Sequence, residues 1–462
     1  MKNKVFTSSL FLLMAFTASA QQTHELTVKE AVDLAYQNVI ELKNAALDYQ
    51  IQVAKNREIV GQAFPQLRSD ISANHYLKLP GILFPDGTSS AVYSILKKEG
   101  VSGTNGPITT VPAPTLQQVS FQQPWNLSAG ATLTQLLFQP DIFVGLQARQ
   151  TALDYSQAVI EQSKEKIKDS AYKRYYAILI AEKQLHFIDQ GLERLRQLYH
   201  DDSIMFVNGF AERLDLDKVQ VQINNLSTTR SAIENGVTIG YAAIKFAIGL
   251  PQQDVVILKD DLTTASLKDN LLVDTFDYQD RAEIRTLEVA KKLQELDLKR
   301  NQLSYIPTVA ASANYTINGM GDKFFTSGET VWMKSSFIGL NISIPIFDGF
   351  QRRYRVQQSR LNVQKMENNI TNVKQAIDLE QKITSSSLRS ALFNLDVQER
   401  NMTLAEKVYN ATKLKFQEGL GSSFEVLQAD ADMQTAQANY FNALYNAIVA
   451  KISYQYSLGT LQ

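Results

Sequence analysis

The sequence predicts an α+β membrane protein that combines short amphipathic strands with very long polar helices. Three observations carry this. Four segments of about ten residues alternate apolar with small or polar side chains, the length at which a tilted strand crosses a bilayer. Two proline-free runs, from Asp141 to about Tyr199 and from Phe350 to Glu418, allow helices of about 90–100 Å at ~1.5 Å per residue. The chain also opens with an export signal.

That signal is residues 1–20. Lys2 and Lys4 precede the apolar run Leu10 to Phe16, and Ala18 and Ala20 hold the small positions before a cut at Gln21. The apolar core is too short to span a bilayer. No later stretch offers 18 consecutive apolar residues, so the exported chain is either soluble or spans by strands.

Composition removes most enzyme classes. Among 462 residues there is no Cys, which excludes disulfides, thiolate metal sites, a thiol nucleophile and a cysteine-linked lipid anchor. Lys and Arg total 46 against 47 Asp and Glu, a net charge of -1, which argues against a nucleic-acid partner. Of four His, His186 and His200 share one helical stretch but stand about 21 Å apart along it, too far to share a metal. His200-Asp201-Asp202 reads as a solvated helix end, with a weak ion site as the sharper alternative. No GxxxxGK[ST], GxGxxG or nucleophile elbow occurs. The sequence thus predicts no catalytic residue, no cofactor and no metal.

The chain is built twice. Residues 21–250 form a first repeat and 279–462 a second, joined by a connector at 251–278 that reads as a small equatorial segment. Gly209 and Gly419 are 210 residues apart, as are Gly249 and Gly459. Within each repeat a helix leads into strands. Residues 27–64 read as one helix, with Thr27 as N-cap and Glu30 as its capping-box partner. Pro65 ends it and turns the chain extended, and Pro307 does the same in the second repeat. Strands are predicted at about 66–77, 125–137, 308–317 and 336–347. Trp125 and Trp332 sit near the starts of the two returning strands, where a membrane-interface aromatic girdle would place them. Residues 78–124 hold six prolines and read as a long irregular external loop, dispensable for assembly. The long helices follow. Each turns, near Gly209 or near Gly419 and Gly421, into a return helix at about 211–248 or 422–457. The last return helix carries a coiled-coil stripe through Phe424, Leu427, Ala431, Ala438, Phe441, Tyr445, Ile448 and Ile452. Four strands cannot close a barrel, and open edges are not tolerated in lipid, so strands in a membrane require several copies of the chain.

Taken in order, Leu26 to Val32 with Ala35 and Asn38, then Pro65, Pro307, Gly339, Pro345 to Gly349 and Arg352-Arg353, then Phe416 to Gly419, Ser422 to Ala429, Ala436, Asn439-Tyr440, Ala443 and Tyr445, resemble the TolC-like outer membrane efflux protein family. The first repeat departs at Phe138-Gln139-Pro140, where the second has Phe347-Asp348-Gly349. The resemblance implies a homotrimer in the outer membrane extending into the periplasm. Its twelve strands would form one barrel in outer membrane lipid, continued by a coiled-coil tunnel of α-helices. It also implies a periplasmic adaptor protein and an inner membrane transporter as partners, with passive export of small molecules. A conduit for type I protein secretion is the alternative, and a trimeric structural stalk or adhesin a second one. Glu425 matches a family position whose acid constricts the periplasmic entrance, with Asp215 as its first-repeat counterpart. Gln428 stands where many relatives have a second acid.

Overall fold

The computed structural model describes residues 22–261, 276–323 and 330–461. The expected signal peptide, part of the connector and the tip of the second strand loop lie outside them. The described residues fall into two compact units, each drawn from several segments of the chain. One unit comes from residues 1–53, 150–295 and 361–462 and is mainly helical. The other comes from 54–149 and 296–360 and holds the sheet.

The chain begins with β1 (Thr23–Leu26), α1 (Val28–Asn38) and α2 (Ile40–Gln62). The capping box forms: Thr27 Oγ1 accepts from the Glu30 N–H at 3.3 Å, and Glu30 Oε2 accepts from the Thr27 N–H at 2.7 Å. The single helix expected over 27–64 is interrupted at Val39, which is extended at φ -63°, ψ 126°. Val39 donates to the Ala35 carbonyl and accepts from Leu42 and Lys43, so one residue ends one helix and starts the next. Gly249 packs directly against the residue before the break, where a Cβ would fall 2.7 Å from the Asn38 carbonyl carbon. The break thus coincides with a close backbone approach from about 210 residues away, and no local glycine or proline marks it.

The sheet unit then runs β2 (Gln66–His75), β3 (Ile82–Asp86), α3 (Thr88–Lys98), β4 (Ser102–Gly103), β5 (Gly106–Pro107), β6 (Thr115–Val119) and β7 (Trp125–Phe138). The 78–124 segment is therefore not irregular. It pairs β3 with β6 and β4 with β5 and carries a helix between them. After the helices α4 (Pro140–Val207) and α5 (Arg213–Ala247) come β8 (Val255–Leu258), a 3-10 turn at Tyr278–Asp280, α6 (Ala282–Leu303), β9 (Thr308–Gly321), β10 (Val331–Ser343), α7 (Gln351–Gln417) and α8 (Ser423–Leu458). Pro65 and Pro307 lie directly before β2 and β9. Pro345 and Gly349 lie between β10 and α7, where Gly349 and Phe350 are both left-handed, at φ 66° and 68°. At the first-repeat counterpart, Pro140 simply opens α4, with the Gln139 carbonyl accepting from Ile142.

The four long strands form one antiparallel sheet in the order β10-β9-β7-β2. β10 begins five residues before its expected start and ends at Ser343. Its far end stops short of Pro345, which has no N–H for the ladder. In the helical unit, β1 pairs in parallel with β8. Beneath that pair the core gathers Ala31 and Ala35 of α1, Tyr175 and Ile178 of α4, Ile244 of α5, Leu395 of α7 and Ala447 and Ile448 of α8. The Tyr175 hydroxyl donates to the Leu26 carbonyl at 2.8 Å and accepts from the Asp260 N–H at 3.2 Å, which fixes the strand pair to α4. No helix among the described residues is long and apolar enough to cross a membrane.

Candidate functional site

The sheet has two chemically different faces, set by the period-2 alternation of its strands. Across the ladder Leu67, Leu133, Ala313 and Ile338 stand in one row, and Ile71, Ala129, Ile317 and Lys334 in another. Ile71 is 75% exposed and Ile338 88%. The opposite face carries rows such as Arg68, Thr132, Asn314 and Phe337, or Asp70, Gly130, Thr316 and Ser335. There Asn314 Nδ2 donates to Thr132 Oγ1 at 2.8 Å, and Thr316 Oγ1 donates to Asn314 Oδ1 at 2.7 Å. Within these rows, Phe337 on the polar face and Lys334 on the apolar one are the exceptions. Among the described residues, no strand pairs with the outer edges of β2 and β10.

Trp125 and Trp332 are brought to one end of this sheet. Trp125 opens β7 opposite His75 and Gly321, and Trp332 is the second residue of β10 opposite Gly319. The His75 and Trp125 rings stack at 4.2 Å between centroids. Trp332 thus lies within its strand, level with Leu127 and two residues along the ladder from Trp125, rather than a few residues ahead of the strand.

The helical unit contains two turns built to one plan. Between α4 and α5, Gly209 is left-handed at φ 77°, and the Phe210 N–H reaches the Met205 carbonyl at 2.8 Å. Between α7 and α8, Gly419 is left-handed at φ 75°, and the Leu420 N–H reaches the Lys415 carbonyl at 2.9 Å. Gly421 has no such requirement: a Cβ there would meet ordinary contacts at 3.4 Å. Both turns expose large apolar side chains, including Phe210 at 85% and Leu420 at 75%.

Each predicted acid of this region has a partner. Glu425 lies in the first turn of α8, where its N–H donates to Ser422 Oγ at 3.3 Å and its carboxylate pairs with Lys415 at 3.1 Å. Asp215 pairs with Lys218 at 3.3 Å, and Lys218 in turn lies 5.1 Å over the Phe424 ring, linking the two turns. Gln428 donates to Asp432 at 3.0 Å. Both predicted acids are thus helix-start residues compensated within the chain.

Two carboxyls in the same region are buried, Asp202 against the sequence reading and Asp430 without a place in it. Asp202 is 0% exposed, which corrects the expectation that His200-Asp201-Asp202 is a solvated helix end. Ser423 Oγ donates to Asp202 Oδ2, while Oδ1 is buried without a partner. Burial pushes this carboxyl above its ordinary range, and the Ser423 hydrogen bond only partly opposes that. Deeper along the helices, Asp430 is 1% exposed, receives Arg194 Nε at 2.9 Å and is also hydrogen-bonded by Gln434. Arg194 lies 5.4 Å over the Tyr409 ring. Burial pushes Asp430 up as well, against the pull of Arg194. A polar residue recurring on an otherwise apolar stripe is the one sequence signal for such positions. Gln434 interrupts the apolar stripe of the last return helix between Ala431 and Ala438, but its partner Asp430 lies off that stripe. Among the described residues, no group of three or more His, Cys, Asp or Glu could hold a metal ion.

Comparison with known proteins places this arrangement. Residues 279–460 match the family model described as Outer membrane efflux protein. Outer membrane protein TolC of Vibrio cholerae is 20% identical over 342 residues, covering 72% of this chain and 77% of that protein. The crystal structure of CusC superposes with a TM-score of 0.70 at 17% identity, covering 93% of this chain and 91% of that one. The Campylobacter jejuni CmeC outer membrane channel gives 0.69 at 13% identity, over 94% and 86%. The chain resembles the TolC-like outer membrane efflux proteins in sequence and shares their fold of a β-sheet with a long helical bundle.

Proposed function

We propose that this protein is the outer membrane channel of a tripartite efflux system, passively exporting small molecules received from a periplasmic adaptor and an inner membrane transporter. The observation that carries this reading is the four-stranded sheet. One face is mainly apolar and exposed, the other mainly polar, and among the described residues both edges are unpaired. Such a sheet is a sector of a barrel. Its apolar face suits outer membrane lipid, its polar face suits an aqueous lumen, and its edges need other copies of the same sheet. Three copies supply twelve strands, and their long helices continue the conduit into the periplasm as a tunnel. Trp125 and Trp332, near the same end of the sheet, mark one membrane interface. The apolar turns at Phe210 and Leu420 receive the adaptor. Glu425 lines the entrance and contributes to ion selectivity, with Asp215 in a lesser role and Gln428 contributing no charge. Export draws its energy from the transporter.

The detergent-corrected mass of the purified protein tests the assembly, and its conductance in planar bilayers tests the lumen. The expected results are a trimer and discrete channel openings. A folded, stable monomer would sink the barrel, because its strand edges would be left unpaired in lipid.

A further inference from the structure

The segment between β2 and β7 is folded but has no core. It contains an 11-residue helix, one small hairpin and a second short antiparallel strand pair, yet no residue from 77 to 123 is buried. Isolated helices of this length and isolated two-stranded hairpins are marginal in water. The segment is tied internally by few bonds: the Thr88 N–H donates to Asp86 Oδ1 at 3.0 Å, Ser90 Oγ donates to the Pro112 carbonyl, and Ser120 Oγ to the Pro80 carbonyl at 3.1 Å. Its large apolar side chains, Ile82, Phe84, Val92, Ile95, Leu116 and Phe121, are all exposed. Only five charged residues occur between 77 and 123: Lys78, Asp86, Lys97, Lys98 and Glu99. An apolar surface of this extent on an ordered module is an interaction surface.

We propose that this module is a clasp between copies of the chain, its apolar side chains packing on the equivalent module of the next subunit. The proposal rests on the assembly reading given above. The choice of a second copy follows from where the module is rooted. It grows from β2, an outer strand of the sheet, and the Tyr76 N–H to Pro124 carbonyl bond at 2.8 Å carries the β2–β7 ladder up to its base. The unpaired edge of β2 is where a neighbour's strand must lie, so a module mounted there stands beside the neighbour. A ring of identical copies repeats that contact at every subunit boundary, head to tail. The modules then complete one another's missing core. The strands carry assembly and the clasp adds to it, so removing the segment weakens the oligomer without abolishing it.

The absence of native cysteine makes the test direct. Ile95→Cys and Ser89→Cys are made separately in the full chain, and the purified oligomer is treated with short bis-maleimides and, in parallel, with a bulky polar maleimide. The clasp predicts covalent dimers, the largest product that one thiol per chain allows, from Ile95→Cys and protection of that thiol in the oligomer, with Ser89→Cys labelled readily. In a second arm, residues 79–121 are replaced by a short turn. The clasp predicts a trimer by mass that dissociates at lower temperature than the parent. Rapid labelling of Ile95→Cys in an intact trimer, with no cross-link, overturns the proposal. Protection without cross-linking, accompanied by quenching of a fluorophore at position 95 by brominated lipid, overturns it in favour of a lipid surface. A trimer of unchanged thermal stability after the replacement overturns it too. A monomeric parent protein fails the assembly reading itself, an outcome that the mass measurement separates from all the others.

Discussion

Asp202 shows how one buried oxygen ties stability to pH. Its carboxyl has a single hydrogen-bond donor, Ser423, and an oxygen with no partner. Burial therefore raises its folded pKa above the ordinary 3.8. The folded chain holds a proton at a pH where the unfolded chain has released it. Stability consequently falls as pH rises from the ordinary carboxylate range through the raised folded value, and the penalty is complete above that value. Asp202→Asn keeps a partner for Ser423 and removes the charge. Its melting temperature should exceed that of the parent at about pH 7, and the gap should close as pH falls toward the unfolded carboxylate range. A gap independent of pH would show that the carboxyl is not the source. Asp430 is also raised by burial, but unlike Asp202 it has a cationic partner, Arg194, that partly opposes the shift. Arg194→Ala leaves a charge buried alone and should cost ~3–5 kcal/mol, whereas pairing it with Asp430→Leu should restore much of that loss. A double-mutant cycle of thermal unfolding gives the coupling, and additive losses would mean that the two side chains act separately.

At the scale of elements, the two helical turns separate glycines required by backbone from glycines that merely occur there. Gly209 and Gly419 are left-handed, a conformation that costs an L-residue about 1–2 kcal/mol, whereas Gly421 is not. Gly419→Ala should lower stability by about that amount and Gly421→Ala by much less. Equal losses at both positions, read by thermal unfolding, would count against the geometry. All three had been grouped in the sequence as turn glycines, because composition shows where a chain turns but not which residue takes the positive φ. The strands were legible for a sharper reason: alternation such as Trp125, Leu127, Ala129, Ala131 and Leu133 against Asn126, Ser128, Gly130, Thr132 and Thr134 has the period of a pleat. It misled where alternation and hydrogen bonding part company. Ile344 and Ile346 continue the pattern without a ladder, since Pro345 cannot donate, and Ser335-Ser336 blurs it where β10 is already paired. The break at Val39 and the folded 77–123 module were illegible for a third reason. The first lies against Gly249, far away in sequence, and the second contains strands of only two to five residues, too short to establish a period.

For the whole molecule, the decisive question is whether Glu425 and Asp215, proposed to line the entrance, act on permeating ions. Each occurs once per chain, so the proposed trimer would bring three of each toward one axis. In the single chain each is already paired, with Lys415 and with Lys218. These pairs are half exposed and are screened over about 8 Å at physiological salt, so they dampen the field at the entrance without abolishing it. Neutralising an acid therefore does more than remove a negative charge: it leaves its lysine uncompensated. Glu425→Gln should shift the entrance toward anions, lowering cation preference and block by divalent cations in single-channel recordings, most visibly at low salt. Asp215→Asn should act in the same direction and more weakly, because Lys218 also rests on the Phe424 ring. Removing the lysine as well, in Glu425→Gln with Lys415→Gln, should return selectivity toward the parent value if local charge is the cause. The trimer must survive each change for the comparison to hold, and its detergent-corrected mass monitors that. Selectivity, conductance and block that stay unchanged in the Glu425→Gln, Asp215→Asn double variant would place both acids off the conduction path. Their remaining role would be the one already visible in the chain: first-turn carboxylates, each held by a lysine, that favour the start of a helix.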